Sequence, residues 1–273
     1  MARTWFITGA SRGFGKEWSI AALERGDTVA ATARDPKTLD DLVQQFGDKV
    51  LPLQLDVNDR DAVFAAVKDA HDRYGRLDVV VNNAGYGQFG MVEEISEAEA
   101  RAQFDTNVFG ALFVIQAALP YLRAQGSGHI LQVSSIGGVS AFPNIGIYNA
   151  SKWALEAFSQ SLAAEVADFG IKVTIIEPGP YSTDWGGASA KHAAPNPAYD
   201  VFREKAAEQR RARAGNPGDP AATRDAVLQV VDADEPPLRI FFGDGPLAIT
   251  TKDYESRLAT WRAWESVSVA AHG

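Results

Sequence analysis

Apolar residues recur along this chain in two alternating rhythms. Short β-branched or apolar runs fall at 4–8, 28–33, 50–55, 77–81, 130–133, 173–176 and 238–242, and longer stretches with apolar positions three and four apart separate them. Runs apolar at nearly every position suit strands buried on both faces. The alternation therefore predicts an α/β fold: a parallel sheet with helices on both sides.

Local chemistry places the helix ends. The first helix stops at Gly26. Asp35-Pro36 reads as an N-cap followed by proline at the first helical position, where the missing N–H costs nothing. Asn58 is the expected cap of a helix carrying Val63, Ala66, Val67, Ala70 and Tyr74, which Gly75 ends. Two long helices are predicted over 97–125 and 147–169, the second with Ala154, Leu155, Phe158, Leu162 and Val166 on one face and a stop at Gly170. Residues 183–220 are rich in Gly, Ala and Pro around a charged helical piece at 202–212, the composition of a substrate lid or binding loop. The tail through Tyr254, Leu258, Trp261 and Trp264 is expected to form a closing helix.

Composition narrows the class. A chain of 273 residues, 46% hydrophobic and 22% charged, fits one globular α/β domain spanning 1–273. A formal charge of -9 argues against a surface that grips nucleic acid, though it leaves room for a local basic pocket. With no cysteine there are no disulfides, thiolate metal sites or cysteine nucleophiles, and a reducing cytoplasm is the expected setting. The histidines His71, His129, His192 and His272 form no short metal-binding pair, so no metal is expected. No apolar signal segment opens the chain, and the most apolar stretch, 111–122, contains Gln116 and Pro120 and is too short to span a bilayer.

Thr8-Gly9-Ala10-Ser11-Arg12-Gly13-Phe14-Gly15 lies between the first strand and the first helix. Glycines there let a dinucleotide pyrophosphate approach the backbone, and the helix N-terminus favours its charge. Ala33 ends the second strand where an acid would accept from both ribose hydroxyls of NAD; Arg34 follows instead, and its guanidinium, with Arg12, suits a 2′-phosphate. NADP(H) is the expected cofactor, the alternative being two solvated arginines. Asp56 at the end of the third strand reads either as an acceptor for the adenine amino group or as a turn residue.

Tyr148 and Lys152 stand four apart on one helix and share a face. An ammonium beside a phenol favours the phenolate; lowering a phenol by about three pH units takes roughly 4 kcal/mol. Tyr148 would then exchange a proton with a carbonyl or alcohol oxygen, and Ser135, leaving the fifth strand at its carboxyl end, would hydrogen-bond that oxygen. Asn107 is an awkward mid-helix residue that makes sense as a holder of Lys152 through a water.

Thr8-Gly9-x-x-x-Gly13-x-Gly15, Asn82-Asn83-Ala84-Gly85, Asn107, Ser135, Tyr148-x-x-x-Lys152 and Pro178-Gly179 together resemble the short-chain dehydrogenase/reductase family in its common single-domain form. The resemblance covers about residues 4–183. It implies a Rossmann-type doubly wound sheet and a catalytic tetrad of Asn107, Ser135, Tyr148 and Lys152, the lysine also binding the nicotinamide ribose. It further implies cofactor contacts from Gly9, Ser11, Arg12, Gly13, Phe14 and Gly15, and from Arg34, Asp56 and Val57. Asn83, Ala84 and Gly85 would pass the cofactor, and Pro178, Gly179 and Thr183 would border the nicotinamide. The family's dimers and tetramers make a homodimer or homotetramer the expected assembly, either through the faces around 109–121 and 153–169 or with those faces buried in the monomer's own core.

Phe142, Pro143, Tyr86, Phe89, Tyr181 and Trp185 are candidate pocket walls, which points to an apolar or aromatic ketone or aldehyde unless they only pack the lid. Arg210, Arg211 and Arg213 read as a solvated helix face. The expected function is hydride transfer between NADP(H) and a carbonyl or alcohol. Two other readings stand beside it: an alcohol or steroid dehydrogenase working oxidatively, and a non-catalytic NADP-binding sensor.

Overall fold

The computed structural model describes residues 2–187, 189–213 and 217–273. In chain order the elements are β1 (Thr4–Ile7), α1 (Gly13–Glu24), β2 (Thr28–Ala33), α2 (Asp40–Phe46), β3 (Val50–Gln54), α3 (Arg60–Tyr74), β4 (Val79–Asn82), β5 (Gln88–Phe89), α4 (Glu97–Phe104) and α5 (Ala111–Gln125). They continue with β6 (Gly128–Val133), α6 (Gly146–Val166), β7 (Ile171–Pro178), β8 (Lys191–His192), α7 (Asp200–Arg213), α8 (Arg224–Asp232), β9 (Arg239–Phe242), α9 (Pro246–Ala263) and α10 (Glu265–Ala270). Seven strands form one parallel sheet in the order β3-β2-β1-β4-β6-β7-β9, the doubly wound Rossmann-type arrangement expected from the alternation.

The period-2 alternation of each strand divides the core in two. Trp5, Ile7, Val79, Val81 and Leu131 point to the face covered by α1 and α8, with Trp18 and Val227. Phe6, Val80 and Ile130 point to the opposite face, packed by Val63 and Val67 of α3, Val114 of α5 and Leu162 of α6. Each fully buried large aliphatic or aromatic side chain contributes roughly 1.5–3 kcal/mol through removal from water.

Several expected boundaries shift for identifiable reasons. Asp59, not Asn58, caps α3: its side chain accepts from Ala62 N at 3.0 Å, while Asn58 Oδ1 receives the Thr106 hydroxyl. Asp35 does cap a helical turn through Lys37 N, but that turn is a 3-10 segment at Pro36–Leu39 ahead of α2. The helix expected over 97–125 is interrupted by a π-helical segment, Asp105–Gly110, centred on Asn107; such segments concentrate at functional sites. α6 ends at Val166, and one 3-10 turn leads to Gly170, left-handed at φ 69° as the expected stop.

The tail forms a helix but does not close the core: Tyr254, Leu258, Trp261 and Trp264 are exposed. Asp253, which accepts from the Ser140 hydroxyl, and Arg257, which donates to Val139 O, anchor α9 and also pair with each other within the helix. The sequence pattern missed α8 and the two-stranded β5-β8 sheet. The Arg210, Arg211 and Arg213 side chains lie outside the described residues.

His129 on β6 is buried, and its Nε2 lies 2.9 Å from Thr174 Oγ1. The Thr174 hydroxyl donates its single proton to Pro237 O, so Nε2 is the donor, and Nδ1 is buried without a partner among the described residues. Burial, helped by Lys172 and Arg3, pushes this imidazole down to about 3. Its neutral form therefore stabilises the fold fully above the unfolded value of 6.5, and that contribution is lost as pH falls toward 3. In urea unfolding, the stability advantage of the wild type over His129→Gln is expected to narrow by about 2.5 kcal/mol between about pH 7 and about pH 4.5. An advantage that stays constant with pH would refute the assignment.

Candidate active site

The strand order reverses between β1 and β4, and ligands of open α/β sheets bind outside the carboxyl ends of the strands at such a point. The glycine-rich turn leaves β1 there. Gly9 and Gly13 have φ of 65° and 54°, in the left-handed region. A Cβ on Gly15 would fall 2.3 Å from Gly9 O, so the turn folds back on itself without space for a side chain. Asn83 at the end of β4 fixes this shape, its Nδ2 donating to Thr8 O and Gly9 O at 2.9 Å each. Thr8 Oγ1 in turn accepts from Asn83 N and Ala84 N. Arg12, the N-cap of α1, is extended and places no side-chain oxygen on the first helical turn, which leaves those N–H groups available to an anion.

One cavity of about 750 Å³ runs from this turn to the helix α6. Every candidate residue lines it except Gly15 and Asn107: Gly9, Ser11, Arg12, Gly13 and Phe14 from the turn, then Arg34, Asp56 and Val57 from the ends of β2 and β3. Asn83, Ala84 and Gly85 follow, and Ser135, Tyr148, Lys152, Pro178, Gly179 and Thr183 complete the far end. The set of glycines without Cβ space, free helical N–H groups and basic side chains fits a dinucleotide phosphate. Arg34 is exposed and makes no ion pair among the described residues, whereas Arg12 is engaged by Asp184 at 3.0 Å. Asp56 Oδ1 accepts from Asn58 N at 3.0 Å and so serves its turn while facing the cavity.

At the other end, Tyr148 and Lys152 are both buried on α6, with Lys152 Nζ 5.9 Å from the Tyr148 ring centre. The ammonium donates to Val133 O at 2.7 Å, which ties α6 to the end of β6. The electrostatics differ from the sequence expectation. Burial pushes the Tyr148 phenol up to about 12, against a lowering contact from Ser135, and burial pushes Lys152 down to about 8. Desolvation dominates both groups, so by themselves they hold Tyr148 as a protonated phenol.

Asn107 is held by direct hydrogen bonds to two neighbouring segments. Its Oδ1 accepts from Tyr86 N at 3.2 Å, and its Nδ2 donates to Tyr86 O and Ser151 Oγ. The side chain thus staples the loop after β4 to α6 and does not bond Lys152 directly. Of the expected pocket walls, Tyr86, Phe142, Tyr181 and Trp185 line the cavity. Tyr181 also packs edge-on against Phe14 at 4.9 Å, and Phe89 lies behind Trp185 at 5.2 Å; neither Phe89 nor Pro143 lines the cavity.

Trp185 stands over the reacting end, 4.9 Å from the Tyr148 ring and against Gly87, where a Cβ would fall 2.8 Å from the indole. The β5-β8 pairing of Gln88 with Lys191 and Phe89 with His192 pins this segment to the β4 exit loop. Sequence reading also passed over Glu156 and Glu177 behind Lys152. Both are charged positions inside otherwise apolar patterns, and that signal was present in the sequence.

Comparison with known proteins agrees with this geometry. The family described as short chain dehydrogenase matches residues 3–194. Oxidoreductase BOA17 of Botryotinia fuckeliana (strain B05.10) is 43% identical over 273 residues, covering 99% of this chain and 100% of that protein. The crystal structure of a short-chain dehydrogenase from Streptomyces avermitilis superposes with a TM-score of 0.92 at 42% identity, over 99% of each chain. An alcohol dehydrogenase from the archaeon Thermococcus sibiricus, complexed with 5-hydroxy-NADP, gives a TM-score of 0.74 at 28% identity, over 89% of this chain and 96% of that one.

The backbone clash at Gly15 generates a direct expectation. Gly15→Ala should weaken binding of NADH and NADPH alike by more than about tenfold, a loss of at least about 1.4 kcal/mol, in titrations of nucleotide fluorescence. Unchanged affinity for both would remove the turn from the binding site.

Proposed function

The chain belongs to the short-chain dehydrogenase family, and on that premise we propose that it is an NADP(H)-dependent reductase of apolar or aromatic ketones and aldehydes. The observation that carries the reading is the convergence of the Tyr148 hydroxyl, Ser135 and buried Lys152 on the wall of the cavity that begins at the glycine turn. When bound, the nicotinamide supplies the hydride and, once oxidised, a positive ring. Tyr148 donates its proton to the carbonyl oxygen, and a phenol pushed up to about 12 is in the protonated form this direction requires. Ser135 offers its hydroxyl to the same oxygen as negative charge grows there. Lys152 stabilises the tyrosinate left behind, and Asn107 keeps α6 and the β4 exit loop in register through Ser151 and Tyr86.

Ala33 and Arg34 support a 2′-phosphate over a bare ribose, as does the NADP analogue held by the Thermococcus sibiricus relative. Tyr86, Phe142 and Trp185 support an apolar or aromatic substrate, with the segment 183–220 as its lid. Exposed Phe109, Trp153 and Phe169, in and next to α5 and α6, support a homo-oligomer.

A spectrophotometric screen of NADPH and NADH oxidation against aldehydes, ketones and quinones tests the activity. In the most active pair, Tyr148→Phe is expected to lower kcat by more than about 100-fold while NADPH affinity holds within about threefold. Substantial residual turnover would count against the assigned role. Arg34→Ala is expected to weaken NADPH relative to NADH by about tenfold or more, the worth of a charge-assisted hydrogen bond. Equal loss for both nucleotides would take Arg34 out of the discrimination.

A further inference from the structure

One helical turn beyond Lys152, on the same buried face of α6, stands Glu156, 5% exposed; against it, from β7, comes Glu177, 1% exposed. The two carboxyl groups converge on one cation. A single guanidinium serves both: Arg239 Nε of β9 lies 3.0 Å from Glu156 Oε2, a hydrogen bond, and 3.5 Å from Glu177 Oε1, while its Nη2 is occupied by Gln160. Glu156 Oε1 and Glu177 Oε1 are buried without a donor among the described residues. The loop after β6 is packed onto the same spot, since a Cβ on Gly138 would fall 2.5 Å from Ser134 Oγ and 3.2 Å from Glu156 Oε1. From α9, Asp253 and Arg257 pair with each other at the edge of this loop.

Two buried carboxylates that share one guanidinium nitrogen do not both ionise; one keeps a proton, which then gives an orphaned oxygen its donor. The hydrogen bond from Arg239 selects Glu156 as the ionised member. We propose that Glu156 and Glu177 form a proton-sharing pair whose single negative charge, on Glu156, keeps Lys152 an ammonium, so that both act as positioning residues behind the reacting centre. This rests on the reading of Lys152 as the cation that serves Tyr148. Burial raises both carboxyls: Glu177, with the neighbouring Glu156 adding to it, goes up to about 8, whereas on Glu156 the Ser134 and Arg239 contacts work against the rise; Glu156 in turn opposes the burial that lowers Lys152. With burial weakening the ammonium, the carboxylate one turn away decides whether Lys152 remains charged near neutral pH.

The test reads the groups themselves and needs no substrate. Infrared spectra of the protein at neutral pH are expected to show the C=O stretch of a protonated carboxylic acid, absent in Glu177→Gln. Lysine labelled at Cε, with Lys152 assigned through Lys152→Met, reports the Lys152 titration by NMR. Glu156→Gln is expected to lower its midpoint by about one pH unit, and Glu156→Asp, which retains the charge, to restore most of that shift. An infrared spectrum with no band sensitive to Glu177, or a Lys152 midpoint unmoved in Glu156→Gln, overturns the proposal. Should Glu156→Gln fail to fold, the infrared comparison with Glu177→Gln decides alone. A failed screen for turnover would leave both readouts intact, so the two readings fall separately.

Discussion

Lys152 donates a 2.7 Å hydrogen bond to Val133 O from a position 6% exposed, and an ammonium placed so deep must be compensated by everything around it. The bond joins the second turn of α6 to the last residue of β6, so the residues that follow that strand, Ser134 and Ser135, are set against the helix that carries Tyr148. Catalytic geometry and strand-to-helix packing are here one constraint. Glu156 and Glu177 extend it backwards to β7 and, through Arg239, to β9.

The cofactor end obeys a different rule. Among the described residues no charge is buried there; the shape is held by backbone groups and by Thr8 and Asn83, which bridge β1 and β4 across the point where the strand order reverses. Rigid hydrogen bonding of this kind leaves the free N–H groups of α1 aimed at one place, which suits a ligand that is large, anionic and common to many reactions.

Between the two ends lies the segment that follows Pro178-Gly179. It is tied at Arg12 by Asp184, at the β4 exit loop by the β5-β8 pairing, and at Tyr148 by the Trp185 ring. Trp185 Nε1 is buried with no acceptor among the described residues, beside Tyr148, so the reacting end combines aromatic surface with a few polar atoms close to the phenol.

What was legible in the sequence is what short-range physics controls. Short, nearly continuous apolar runs gave the strands, the stop at Gly170 followed from its backbone freedom, and the turn from Thr8 to Gly15 and the Tyr148/Lys152 spacing each fall within a few residues. Adjacent acids already blurred the picture, as with Asp59 taking the cap expected of Asn58. Contacts between distant segments were out of reach: the π segment at Asn107 answers to Tyr86 and Ser151, 21 and 44 residues away. So were the exposure of the α9 aromatics, set by how the helix docks, and the meeting of Glu156, Glu177 and Arg239 from three elements. The sign of the Tyr148 shift belongs to the same group. Spacing along a helix establishes that a cation and a phenol are neighbours, but desolvation depends on every atom packed around them, and only the assembled tertiary structure decides how much water they lose.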